Sequence, residues 1–138
     1  MIPISSEQAE SLLIAAEKAS QNAYVPYSDF PVGAAILLEN GDIVLGANIE
    51  NASFGLTHCA ERTAIVKAVS DGQKSFKAIA VWAKQRPHGG ITPCGACRQV
   101  LAEFFKKEAP VVMADPETGK VRLLTVEALL PYGFEFSQ

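Results

Sequence analysis

Apolar positions recur at helical spacing near the start of the chain: Leu12, Leu13, Ala16 and Ala19 share one face of a segment from Glu7 to about Asn22. Ser5 and Ser6 stand ahead of it as caps, and Ser5 with Gln8 has the spacing of a capping box. The run Tyr24-Val-Pro-Tyr-Ser-Asp-Phe-Pro31 stops the helix, since its two prolines remove donors and restrict their predecessors. Two apolar runs follow, Val32 to Leu38 and Ile43 to Asn48, separated by Glu39-Asn40-Gly41-Asp42. Asn-Gly between such runs predicts a hairpin, because both residues tolerate positive φ. Asn48 to Gly55 leaves the second strand as a polar loop.

The pattern turns helical again from Cys59 to about Ser70, with Ala60, Ala64, Ile65, Ala68 and Val69 on one side, Thr57 as a cap and Asp71-Gly72 as a stop. Phe76 to Ala83 is a short apolar strand, and Arg86 to Gly90 a loop. Pro93 suits the first turn of a helix from Cys94 to Lys107 that offers Val100, Leu101, Phe104 and Phe105 for burial. Strands at Pro110 to Ala114 and Val121 to Leu124 flank the turn Asp115 to Gly119. A last short helix with Val126, Leu129 and Leu130 is capped by Thr125 and ended by Pro131. Alternating strands and helices argue for an α/β fold with one mixed five-stranded sheet between helical layers. No linker, repeat or low-complexity stretch divides the chain, so residues 1–138 read as a single domain.

Composition narrows the class. Nearly half of the 138 residues are hydrophobic (49%), enough for a genuine core. A domain of this size buries only about two thirds of its unfolded surface, so assembly into an oligomer would help it. Twelve basic residues against 15 acidic ones give a net charge of −3, which offers no electrostatic case for nucleic acid. No apolar run approaches the roughly 20 residues that cross a bilayer, and the first residues do not read as a signal peptide. Three cysteines make no disulfide framework; free thiols point to a reducing, cytoplasmic setting.

Cys59 alone reads first as a buried small hydrophobe. Cys94-Gly-Ala-Cys97 changes that reading, because a C-x-x-C pair at a turn chelates a metal or exchanges disulfides. A redox pair needs no third cysteine, whereas here a third thiol opens a second predicted helix. Two helix amino termini would set positive backbone dipoles near all three thiolates, favouring the deprotonated form that a cation needs. Three thiolates suit zinc, one ion per chain, and leave a fourth position to be filled. His58 and His88 are the histidine candidates; a side chain adjacent to Cys59 points well away from it, so His58 reads as a neighbour of the site.

If that position holds water, zinc makes hydroxide available near neutral pH, and a proton carrier off the metal is needed. Glu61, two residues beyond Cys59, suits that role. Cys59-x-Glu61 with Pro93-Cys94-x-x-Cys97 matches the cysteine form of the zinc deaminase signature. Arg62 and Arg98, each beside a site residue in sequence, could donate to ligand sulfur and offset its charge.

Beyond this signature, Tyr27-Ser-Asp-Phe-Pro-Val-Gly-Ala-Ala35, Asn48-Ile-Glu-Asn-Ala-Ser-Phe54, Cys59-Ala-Glu-Arg-Thr-Ala64, Pro93-Cys-Gly-Ala-Cys-Arg-Gln-Val100 and Glu127-Ala-Leu-Leu-Pro131 resemble the small, homotetrameric, zinc-dependent cytidine deaminases, from about Ala9 to Phe134. The resemblance implies a three-layer α/β/α sandwich. It implies that Cys59, Cys94 and Cys97 hold zinc, that Glu61 shuttles the proton and that Arg62 pairs with the cysteine ligands. Phe30 would shape the pocket, Asn48 and Glu50 bind the ribose hydroxyls, and Ala60 offer its backbone to the base. Phe134 would reach the ligand of a neighbouring subunit. The activity so implied is hydrolysis of cytidine and 2′-deoxycytidine to the uridines and ammonia. Phe54 stands where a tyrosine is common, and His58 occupies a variable position. A blasticidin S deaminase, a polynucleotide-editing enzyme and a structural zinc protein are the rival readings.

Overall fold

The computed structural model describes residues 3–85 and 90–136. The first helix, α1 (Ser6–Ser20), opens on the expected capping box: the Ser5 hydroxyl accepts from the Gln8 amide, and the Gln8 side chain accepts from the Ser5 amide. The hairpin strands are β1 (Val32–Leu38) and β2 (Ile43–Ala47), paired antiparallel with Leu37 opposite Ile43. The turn differs in detail from the sequence expectation. Only Gly41 takes a positive φ, at 95°, and Gly41 N–H donates to Leu38 O. This is a three-residue turn closed by a left-handed glycine; Asn40 instead spends its side chain on the Asp42 amide.

After β2 come α2 (Ala60–Ser70), β3 (Phe76–Ala83), α3 (Gly95–Phe104), β4 (Pro110–Ala114), β5 (Val121–Thr125) and the short α4 (Val126–Leu129). The five strands form one mixed sheet in the order β2-β1-β3-β4-β5, in which only β3 and β4 pair in parallel. One face of the sheet packs Ala34, Ile36, Ile79, Val111 and Met113 against Ala64, Ile65 and Ala68 of α2, Leu101 of α3 and Leu129 of α4. The other face packs Ala35, Leu37, Ala80 and Val112 against Ala9, Leu12 and Ala16 of α1. This is the expected α/β/α sandwich, and strand residues alternate between its two cores as the pleat requires. No helix among the described residues is long and apolar enough to cross a membrane.

Topology brings the chemistry together. Both β2 and β3 run antiparallel to β1, so they run parallel to each other. The helices that follow them, α2 and α3, therefore start at the same end of the sheet, and both lie on the same face. Gly46 on β2 seats the start of α2: a Cβ there would lie 2.5 Å from Ala64 N and 2.6 Å from Ala60 O. A side chain of any size would push the helix backbone away.

Three helix boundaries depart from the sequence reading. Residue Cys59, not Thr57, occupies the N-cap position of α2, and the Thr57 hydroxyl accepts from the Asn51 amide instead. Pro93 lies one residue before the N-cap of α3, outside the helix, because Cys94 takes the cap. That helix ends at Phe104, not Lys107: Phe105 turns extended, at ψ 151°, and buries its ring 5.1 Å from that of Phe76. Core burial of a phenylalanine outweighs another helical turn of lysines.

Candidate active site

Two helix starts converge on a cluster of sulfur. Cys59 at the N-cap of α2, Cys94 at the N-cap of α3 and Cys97 in the first turn of α3 place their Sγ atoms within 4.8 Å of one another. Sγ of Cys59 and Sγ of Cys94 are 3.8 Å apart. A tetrahedral zinc bound at about 2.3 Å from each sulfur sets its ligands about 3.8 Å apart, so the spacing fits zinc and is far too long for a disulfide. Among the described residues this is the one group of three or more histidine, cysteine or acidic side chains spaced to hold an ion. His58 is exposed and pairs its backbone with Ile49; His88 lies outside the described residues.

The cluster is electrostatically prepared for a cation. The Cys59 thiol is pulled down to about 5, first by a hydrogen bond from Cys97 and further by Arg62. The Cys97 thiol is pushed up by the same contact and by burial, so in the metal-free protein Cys59 carries the charge and Cys97 keeps its proton. Of the two arginines adjacent in sequence to site residues, only Arg62 reaches sulfur: its Nη2 donates to Cys59 Sγ at 3.4 Å and to Thr57 O at 3.4 Å. Arg98 is a structural clamp instead. It donates to Pro93 O at 2.7 Å, Leu129 O at 2.9 Å and the Thr92 hydroxyl at 3.0 Å, tying the loop before α3 to the end of α4.

Glu61, in the first turn of α2, is 4% exposed. Burial, reinforced by the negative Cys59, raises its carboxyl to about 7. The Cys97 thiol opposes that rise, and Glu61 stands two residues beyond Cys59 in the first turn of α2. A group poised near neutrality can both take and return a proton.

A second set of side chains gathers around the loop between α1 and β1. Asn48, just past β2, uses its amide as a staple: Nδ2 donates to Phe30 O at 2.8 Å and Oδ1 accepts from Val32 N at 2.9 Å. Glu50 Oε1 accepts from the amides of Tyr27 (3.0 Å) and Ser28 (3.1 Å), and Oε2 accepts from the Ser28 hydroxyl. Those contacts, the Ser28 hydroxyl foremost, hold the Glu50 carboxyl below its usual range. Phe30 is half-buried on the same loop, and Ala60 is fully buried at the start of α2. Phe134 stands apart in its own chain. It is 71% exposed after α4, its carbonyl accepting from Gln99, and it lines a surface groove with Ala102, Lys107 and Leu130.

Ser28, Gln85 and Arg98 do structural work here that sequence reasoning assigned to none of them. Ser28 lies inside the run Tyr27 to Ala35, so its position is visible in the sequence though its partner Glu50 is not. Gln85, whose Nε2 donates to Asp29 O at 3.0 Å, gives no signal in sequence because the contact spans 56 residues.

Comparison with known proteins agrees with this geometry. Residues 6–113 match the family model described as the cytidine and deoxycytidylate deaminase zinc-binding region. A cytidine deaminase from Sporosarcina psychrophila is 53% identical over 125 residues, 91% of this chain and 90% of that protein. One from Halalkalibacterium halodurans is 49% identical over 126 residues, covering 91% and 92%. The crystal structure of cytidine deaminase from Burkholderia pseudomallei superposes with a TM-score of 0.83 at 46% identity, over 91% of this chain and 98% of that one. On sequence, fold and sulfur cluster together, the chain belongs to the cytidine deaminase family of zinc-dependent hydrolases.

Proposed function

We infer that the chain deaminates cytidine and 2′-deoxycytidine hydrolytically, giving the corresponding uridines and ammonia, with Glu61 as the proton shuttle. The family supports the deamination of cytidine itself. The observation that carries the finer reading is a buried carboxyl, raised to about 7, beside three convergent sulfurs. Zinc, when bound by Cys59, Cys94 and Cys97, supplies a water acid enough to give up its proton near neutral pH.

Glu61 accepts that proton and delivers it to N3 of the pyrimidine as oxygen adds to C4. Glu61 then takes the second proton, from the hydroxyl now on C4, and passes it to the exocyclic amine, so that the C4–N bond breaks, ammonia leaves and the C4 carbonyl of the uridine forms. Arg62, donating to Cys59 sulfur, offsets the negative charge of three thiolates. Phe30 shapes the pocket, the Ala60 backbone meets the base, and Asn48 and Glu50 meet the sugar. Among the described residues, Asn48 keeps one N–H and one lone pair beyond its staple.

The active unit on this reading is a homotetramer in which Phe134 serves a neighbouring site. Tyr24, Tyr27, Ile49, Phe54 and Leu56 are all exposed, and the Tyr27 and Phe54 rings meet edge to face at 5.8 Å. Such a group of apolar side chains suits a contact with another copy. The thiol ligands suit a reducing, cytoplasmic setting.

Glu61→Gln tests the shuttle. The variant should keep one zinc per chain by metal analysis while ammonia release from cytidine falls by several orders of magnitude, on the order of 10³-fold or more. Undiminished turnover with zinc in place would remove Glu61 from the mechanism.

A further inference from the structure

A carboxylate offers about four acceptor positions. On Glu50 three are filled by the chain itself: Oε1 by the amides of Tyr27 and Ser28, and one position on Oε2 by the Ser28 hydroxyl. Ser28 Oγ also accepts from the Phe30 amide at 3.1 Å. One hydroxyl thus bridges the carboxylate of Glu50 and the backbone that carries the Phe30 ring. The loop supporting it is fixed on either side. Asp29 N–H donates to Val25 O at 3.0 Å, Asp29 takes a left-handed φ of 53°, and the Gln85 side chain holds its carbonyl.

We propose that Ser28 is a positioning residue for nucleoside binding: by donating to Glu50 and accepting from Phe30 it fixes the sugar-facing carboxylate relative to the aromatic wall, and leaves Glu50 one acceptor position for a sugar hydroxyl. The inference rests on the reading of Glu50 as a sugar ligand. Without the Ser28 hydroxyl the carboxylate loses its only side-chain donor among the described residues; two amides still hold Oε1, but Oε2 must be ordered afresh by each substrate. The effect belongs to binding, because neither atom touches the sulfur cluster or the proton carrier.

The test is steady-state kinetics with cytidine on the zinc-loaded enzyme and on Ser28→Ala, Ser28→Thr, Glu50→Gln and the Ser28→Ala/Glu50→Gln double variant. Ser28 is exposed, so folding and zinc content should match the parent. Ser28→Ala should raise KM about tenfold with kcat within about twofold, the scale of one hydrogen bond to a charged group. Ser28→Thr, which keeps the hydroxyl, should restore KM, and adding Ser28→Ala to Glu50→Gln should change KM less than about twofold. An unchanged KM in Ser28→Ala, an equal rise in both backgrounds, a loss confined to kcat, or failure of threonine to rescue would each overturn the proposal. If Glu50→Gln itself leaves KM unchanged, the sugar role of Glu50 falls and this inference with it. If Glu50→Gln raises KM and Ser28→Ala does not, only the role of Ser28 falls.

Discussion

A carboxyl buried to 4% exposure beside a sulfur anion resists ionisation, and in the metal-free protein that resistance is a stability term. Its ordinary value near 4.5 is raised to about 7 in the folded chain. Below pH 4.5 the group is protonated whether folded or unfolded and costs nothing. Between 4.5 and 7 the unfolded chain ionises first, so stability falls with rising pH, and above 7 the loss levels off at about 3 kcal/mol. Metal-free Glu61→Gln should therefore resist urea better than the metal-free parent at pH 8, and match it near pH 4. A stability difference independent of pH would contradict the assignment. The residues of this cluster were legible in the sequence because Cys59-x-Glu61 and Cys94-x-x-Cys97 each sit within one turn of chain, where spacing fixes geometry. The choice between Arg62 and Arg98 was not legible. Both stand beside site residues, and only the fold shows one reaching sulfur and the other reaching carbonyl groups at Pro93 and Leu129.

At the scale of elements, the register of α2 on β2 sets where Cys59 and Glu61 stand. The contact is backbone to backbone at Gly46, so Gly46→Ala cannot be absorbed by a side chain turning aside. We expect it to destabilise the fold by about 1–3 kcal/mol, to weaken zinc retention against a chelator, and to lower activity further than the lost stability explains. Gly55→Ala, where nothing lies within 4 Å of the added carbon, should leave stability unchanged. Thermal denaturation and zinc analysis of the two variants would decide it. Among the described residues, the four helices and five strands could be read from apolar periodicity, unlike the single turn Phe54–Leu56, because strands and helices with a buried face carry that face in their spacing. Their ends could not. The α3 helix stops where Phe105 finds Phe76, a contact between residues 29 apart in sequence, and local propensity holds no record of it.

For the molecule as a whole, the exposed ring of Phe54 (73%) and side chain of Leu56 (63%) are large apolar groups that a chain of this size gains by covering. If the proposed tetramer covers them, Leu56→Asp should elute as a smaller species on gel filtration and lose cytidine turnover together with its assembly. A parent chain that runs as a monomer at working concentration would contradict the assembly. The same molecule-wide view applies to the two helix starts. Serine, threonine, asparagine or aspartate normally begins a helix, and α1 follows that habit with Ser5. The two helices whose starts meet at the sulfur cluster begin instead on Cys59, whose sulfur caps nothing, and on Cys94, whose sulfur accepts one amide at 3.4 Å. Stabilisation by ordinary cap repair is thus closed at the two places that need it most. An engineer seeking a hardier variant would have to leave both thiols alone and work on the opposite side of the sheet.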